Sequence, residues 1–322
     1  MNAHAVDLSR ALNEFRGMVA RRTVSTHDGV EFTLHDWGAA TASGEPPLIC
    51  LHSLSGSESE LFRPQLSLGA KGFRTIACRI PVVWDLASFV RAFDELLNVL
   101  DVGDAVHLHG VHLGGLLLQV FAAHKPRRVL SLVLTNSFCD TSEYAFALGA
   151  TAIKLAPSVY LQHCILDDFP DGPTDPAIAA AIDFEVDQVE GLSPDELAAR
   201  LCLYSEPVDA RALSRIDSSR VTLIQAADQT MLSERVLRSL SQTYANARVA
   251  TIKRGGDFVC LTNPDEVAMH VQVHLRRHGV APPEAALPLA IAPPPPRAAP
   301  AFSEHGEYGE QEFDAPPSYV AV

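Results

Sequence analysis

The chain has 322 residues, 47% of them hydrophobic, enough to bury a sizeable core in one large domain. Its net charge of −14, without a long basic run, argues against nucleic acid as a partner, because that binding needs clustered Lys and Arg to displace counterions. The start Met1-Asn2-Ala3-His4 has neither a secretory pattern nor a glycine after Met1, and no apolar run reaches membrane-spanning length, so no direct membrane span is expected.

Along the chain, β-rich runs at 23–25 and 31–35 flank the hairpin signal Asp28-Gly29. Apolar runs of strand length follow at 48–51, 75–78, 105–109, 130–134, 221–225 and 248–252. Helical stretches are expected at 57–68, 86–100 and 112–123. Such alternation after an opening hairpin predicts a mostly parallel, eight-stranded α/β sheet with helices on both faces.

The alternation stops at about 138–216, an Ala- and Leu-rich insertion with turns at Asp171-Gly172-Pro173 and Asp175-Pro176. Ser193-Pro194-Asp195-Glu196 is a capping box with proline at the first helical position, so a helix starts there. The acids from Asp167 to Asp175 fit turn chemistry better than a calcium loop. The last helix opens at Asn263-Pro264-Asp265-Glu266 with a buried stripe of Val267, Val271 and Leu275. His270, His274 and His278 recur at steps of four and read as a solvated face rather than a zinc site. Six cysteines (Cys50, Cys78, Cys139, Cys164, Cys202 and Cys260) lie far apart in mostly apolar segments, the pattern of reduced thiols in a cytoplasmic protein.

The sharpest feature is Val106-His107-Leu108-His109-Gly110-Val111-His112-Leu113-Gly114-Gly115. A strand, a glycine turn and a helix reproduce the nucleophile elbow G-x-S-x-G of the α/β-hydrolase fold, with His112 at the serine position. The triad acid of that fold follows the seventh strand, where Asp228 stands, and the triad histidine belongs after the last strand, where Gly256-Asp257-Phe258 puts an aspartate. The loop His52-Ser53-Leu54-Ser55-Gly56-Ser57 replaces the usual oxyanion loop, with the backbone N–H groups of Leu54 and Leu113 as its candidate donors. Loss of one triad member costs on the order of 10⁴ to 10⁶ in turnover, so hydrolysis by the usual mechanism is not expected. No catalytic residue and no metal or other cofactor is therefore assigned. Two alternatives stay open: a metal-assisted hydrolase using His112, Asp228 and Asp257, and a small-molecule sensor using the old pocket.

Further strings carry a family resemblance: Phe15-Arg16-Gly17, Pro81-Val82-Val83-Trp84-Asp85, Asn136-Ser137-Phe138-Cys139-Asp140-Thr141-Ser142, Ala181-Ile182-Asp183-Phe184, Val186-Asp187, Asp228-Gln229 and Tyr244-Ala245-Asn246-Ala247-Arg248. From about Phe15 to His278 the chain resembles the maspardin family of α/β-hydrolase-fold proteins. The resemblance implies a non-catalytic, cytoplasmic adaptor that reaches endosomal and trans-Golgi membranes through protein partners, including a receptor's cytoplasmic tail. It also implies a serine at the elbow, from which His112 departs.

After the domain at 1–279, residues 280–322 turn proline- and alanine-rich and then acidic, a composition expected to be disordered. Within it Pro316, Pro317 and Tyr319 match the PPxY pattern that WW domains take in extended form. The terminal Val320-Ala321-Val322 suits a PDZ-type groove less specifically.

Overall fold

The computed structural model describes residues 3–38, 45–142, 150–170, 175–208, 213 and 216–281. The tail beyond residue 281, with Pro316, Pro317 and Tyr319, and the turn at Asp171-Gly172-Pro173 lie outside the described residues.

The expected strands form as β1 (Arg21–Ser25), β2 (Glu31–Trp37), β3 (Leu48–Leu51), β4 (Thr75–Cys78), β5 (Val106–Val111), β6 (Val129–Thr135), β7 (Val221–Ala226) and β8 (Arg248–Ile252). They make one eight-stranded sheet in the order β1-β2-β4-β3-β5-β6-β7-β8. The β1–β2 hairpin and the β2–β4 pair are antiparallel, and every later pairing is parallel. Side-chain alternation sends Ile49, Leu51, Leu108, Leu132 and Leu134 to one face, where α3 (Leu86–Val99) and α4 (Leu113–His124) cover them. Leu48, Cys50, Val133 and Ile224 turn to the other face. There they meet Leu68 of α2 (Phe62–Gly69) and the buried stripe Val267, Val271 and Leu275. Each fully buried leucine contributes roughly 1.5–3 kcal/mol, so this two-faced core dominates the stability of the fold.

Helix α1 (Ala3–Met18) stands where the sequence reading has no element. Its Leu8, Leu12 and Phe15, spaced four and three apart, pack with Phe62 and Phe184, so tertiary burial sustains it. The helix expected at 57–68 begins only at Phe62. Residues 57–60 turn instead, because Ser57 Oγ accepts the Ser59 N–H (3.1 Å) and Glu60 Oε2 accepts the Ser53 N–H (2.7 Å).

Between β6 and β7 come α5 (Ala150–Leu155), α6 (Ser158–Leu166), α7 (Pro176–Glu190) and α8 (Pro194–Ser205). Asp175 caps α7 by accepting the Ala177 N–H at 2.8 Å, so that acid serves as a helix cap. The Ser193–Glu196 capping box opens α8 as expected. After β7 the chain forms α9 (Glu234–Thr243), and after β8 α10 (Val259–Thr262) and α11 (Pro264–Arg277). Asn263 precedes α11 but makes no side-chain cap bond.

The histidine row on α11 is not a solvated face. His274 is buried, with Nδ1 2.8 Å from Thr222 Oγ1 and Nε2 2.7 Å from Ser131 Oγ, and the same hydroxyl meets His107 Nδ1 at 2.7 Å. This network joins β5, β6 and β7 to α11. Five of the six cysteines are buried and all six are free thiols.

Candidate functional site

The elbow is built by close backbone approach. A Cβ at Gly110 would lie 2.4 Å from Gly115 Cα, and one at Gly114 would lie 2.4 Å from the His52 carbonyl oxygen. Only glycine lets β5 and α4 pack this tightly. His112 is forced to φ 47° and ψ −114°, a conformation costing about 1–3 kcal/mol for a residue with a side chain. It therefore stands just outside α4, which starts at Leu113 instead of at 112. Its N–H donates to the Thr135 carbonyl at 3.1 Å, and its own carbonyl accepts the Ser137 hydroxyl at 2.9 Å.

The imidazole of His112 is 6% exposed and neither ring nitrogen has a hydrogen-bond partner. Its ring lies 5.0 Å from that of Phe138 and 5.6 Å from that of Tyr204. Burial among these rings lowers its pKa to about 4, so it is neutral at physiological pH. The cavity beside it measures about 10 Å³, room for roughly one water, and is lined by Ser53, Ser55, Asn136, Asp257, Ile165 and Phe169 among others.

Asp257 lines this cavity, but its carboxylate is engaged elsewhere. Oδ1 accepts the N–H groups of Thr230 (3.0 Å) and Met231 (2.9 Å), and Oδ2 accepts the Thr230 hydroxyl at 3.2 Å. Burial raises its pKa, and those hydrogen bonds pull it partly back. Asp228 does not line the cavity; it accepts the N–H groups of Gly255 (3.0 Å) and Gly256 (2.9 Å) and so holds the loop that carries Asp257. His112, Asp228 and Asp257 thus do not form one ligand set. Among the described residues no group of three His, Cys, Asp or Glu side chains is placed to hold a metal ion.

Asn136, at φ 39°, joins the pieces: its Nδ2 donates to the carbonyls of Gly256 (3.2 Å) and Asp257 (3.0 Å), and its Oδ1 accepts the Ala226 N–H (2.9 Å). At the end of β3, His52 Nδ1 donates to the Ser53 carbonyl (2.7 Å) while Nε2 accepts the Ile80 N–H (2.9 Å). This neutral ring supports the loop at 53–57. Leu54 is buried and lines the cavity, and Leu113 is buried at the start of α4. The sequence reading had not singled out Glu60, Glu185 and Arg200, which lie fully buried behind this loop. The only sequence signal for Glu185 and Arg200 is charge inside apolar helical stretches, and Glu60, in the polar run Ser57-Glu58-Ser59-Glu60, carries none.

The chain is 39% identical to "Maspardin" of Danio rerio over 284 residues, covering 85% of this chain and 88% of the relative. It is also 39% identical to "Maspardin" of Homo sapiens over 282 residues, covering 85% and 89%. Among solved structures, a hydrolase from Pseudomonas aeruginosa PA01 superposes with a TM-score of 0.65 at 21% identity, over 80% of this chain and 98% of that one. A thermophilic esterase from Thermogutta terrifontis gives 0.65 at 14% identity, over 81% and 99%. At such identities the two structures establish the α/β-hydrolase fold alone. No protein-family profile matches the chain.

Proposed function

This chain belongs to the maspardin family, and from that membership we propose that it is a non-catalytic adaptor on an α/β-hydrolase fold, one that binds protein partners. The observation that carries this reading is the state of His112. The elbow offers a buried neutral imidazole with both nitrogens unpartnered, in a cavity too small for an ester. A hydrolase needs a nucleophile and a base within hydrogen-bond reach of each other, and Asp257 spends its oxygens on Thr230 and Met231.

On this reading the protein works in the cytoplasm at endosomal and trans-Golgi membranes, with a receptor's cytoplasmic tail among its partners and a WW-domain protein on its own tail. Among the described residues no helix is long and apolar enough to cross a membrane. Exposed Leu155, Val159 and Tyr160 on α5 and α6 add apolar area of the kind interfaces use. The sensor alternative would require the cap to move before a ligand larger than water could enter.

The test is a pulldown from native lysate with the full chain and a chain ending at Gly279, run beside a serine-reactive phosphonate probe. Saturable retention of a receptor-tail or WW-domain protein, with no probe labelling, is the expected result. Labelling that maps to a serine, together with ester turnover, overturns the reading.

A further inference from the structure

We propose that Glu60, Glu185 and Arg200 form a proton-operated latch, fastening cap helices α7 and α8 to the loop after β3 and loosening when the last carboxyl proton is lost to solvent. The fastening is a set of hydrogen bonds across the cap boundary. Ser55 Oγ donates to Glu185 Oε2 (2.7 Å), and Ser57 Oγ donates to Gln188 Oε1 (2.6 Å). Arg200 Nη1 donates to the carbonyls of Leu54 (2.9 Å) and Gly56 (2.8 Å). Glu60 Oε2 braces the same loop through the Ser53 N–H.

The three ionisable side chains are 0%, 0% and 1% exposed. Glu60 Oε1, Glu185 Oε1 and Arg200 Nε and Nη2 have no partner. Arg200 therefore makes its bonds to carbonyls, and two carboxyls share one guanidinium without a direct bond to it. Other charges nearby are already matched. Glu58 has Arg21 at 2.7 Å and Arg79 at 4.0 Å, and Glu196 on α8 has Arg79 at 2.7 Å. His52 is held neutral, and the Cys260 thiol on α10 is pushed well up by burial. Against α7, α1 brings Leu8, Leu12 and Phe15, and α6 brings Leu161 and Ile165, none of them ionisable.

With both carboxyls ionised, the cluster holds one unmatched negative charge out of water, and with one protonated it is neutral. Burial raises Glu60 to about 7, and burial together with the Glu60 charge holds Glu185 well above the carboxylate range. A raised carboxyl favours the fold below its unfolded pKa, and that contribution is lost as pH climbs through the folded value. Loss of the first proton, near pH 7, leaves the cluster neutral; the latch is thus closed while either carboxyl keeps its proton, and loosens above that pH as the second is lost. Its loop supplies Ser53, Leu54 and Ser55 to the His112 cavity, and α6, which packs on α7 and α8, supplies Ile165. Release therefore admits solvent to that cavity. The inference goes beyond the adaptor reading and does not depend on it.

Hydrogen exchange of the full chain at about pH 6 and about pH 8, corrected for intrinsic rates, tests this. Peptides spanning 176–190 and 194–205 are expected to lose about tenfold more protection at the higher pH than peptides from β5 and β6. Glu185→Gln, which still accepts from Ser55, is expected to keep the acid-level protection at both pH values, and Glu60→Gln serves the same purpose. Equal protection of the wild type at both pH values overturns the latch, as does a dependence that persists in a folded glutamine variant. The infrared band of a neutral carboxyl, read in the wild type alone, gives an independent readout: its loss between the two pH values supports the latch, and its absence at about pH 6 overturns it.

Discussion

Ser137 donates its hydroxyl to the main-chain carbonyl of His112 at 2.9 Å, so a residue two positions past the sixth strand clamps the backbone of the elbow and leaves its side chain unbonded. The same serine fills the space beside Gly115, where an added Cβ would meet Ser137 Oγ at 2.2 Å. The strained φ of His112 is therefore held by the turn around it, independently of what the side chain does.

Restoring the serine alone is expected to achieve nothing. His112→Ser places a hydroxyl on the elbow, yet Asp257 cannot relay its proton while Thr230 and Met231 occupy the carboxylate. Phosphonate labelling and turnover of short esters should stay at the wild-type background, about 10⁴-fold or more below a working triad. The double change His112→Ser with Asp257→His supplies both reacting groups and removes the imidazole that lines the cavity, so it is expected to label measurably with a small phosphonate. Mass spectrometry of the labelled proteins decides, and labelling of the single variant would falsify the assignment.

A second expectation concerns acid stability. His112 has a folded pKa of about 4 against an ordinary value near 6.5, so between those values only the unfolded chain takes up its proton. Its stabilising contribution is present above pH 6.5 and lost as pH falls towards 4. His112→Leu removes that proton linkage while the other buried histidines are unchanged. Relative to wild type, the variant should gain about 1–2 kcal/mol on going from pH 7 to pH 5. Urea denaturation at both pH values measures this, and an unchanged difference would rule it out.

The elbow glycines should behave oppositely to a glycine with free space. Gly110→Ala and Gly114→Ala each drive a Cβ into backbone atoms, at an expected cost of about 3 kcal/mol. Gly17, exposed on α1, has nothing within 4 Å of an added Cβ, so Gly17→Ala should be neutral or stabilise by about 0.5–1 kcal/mol. Three denaturation midpoints compare them, and equal values for all three would remove the close-approach argument.

The tail motif makes its own prediction. A peptide of residues 312–322 should bind within a panel of WW domains, and its Tyr319→Ala form should bind about tenfold or more weakly, a difference of ~1.4 kcal/mol. Calorimetric titration of both peptides reads this directly. Binding that is equal, or absent in both, discards the WW partner.

Local pattern determined much of this protein. Two β-rich runs around a hairpin signal and six short apolar runs mark all eight strands to within a few residues, because strand and turn preferences act over neighbours in sequence. The elbow at Gly110-Val111-His112-Leu113-Gly114 was legible for the same reason: glycine spacing reports close backbone approach directly. Tertiary packing decided the rest. Asp228 sits where a triad acid belongs in sequence, but the Gly255 and Gly256 N–H groups claim it. His274 looks like one of three polar residues on a helix face until Ser131 and Thr222, from two strands, surround it. Glu60, Glu185 and Arg200 are separated by up to 140 positions, and no local window joins them. Whether such a charge is solvated or buried depends on which distant elements close over it, and this is a property of the packed fold.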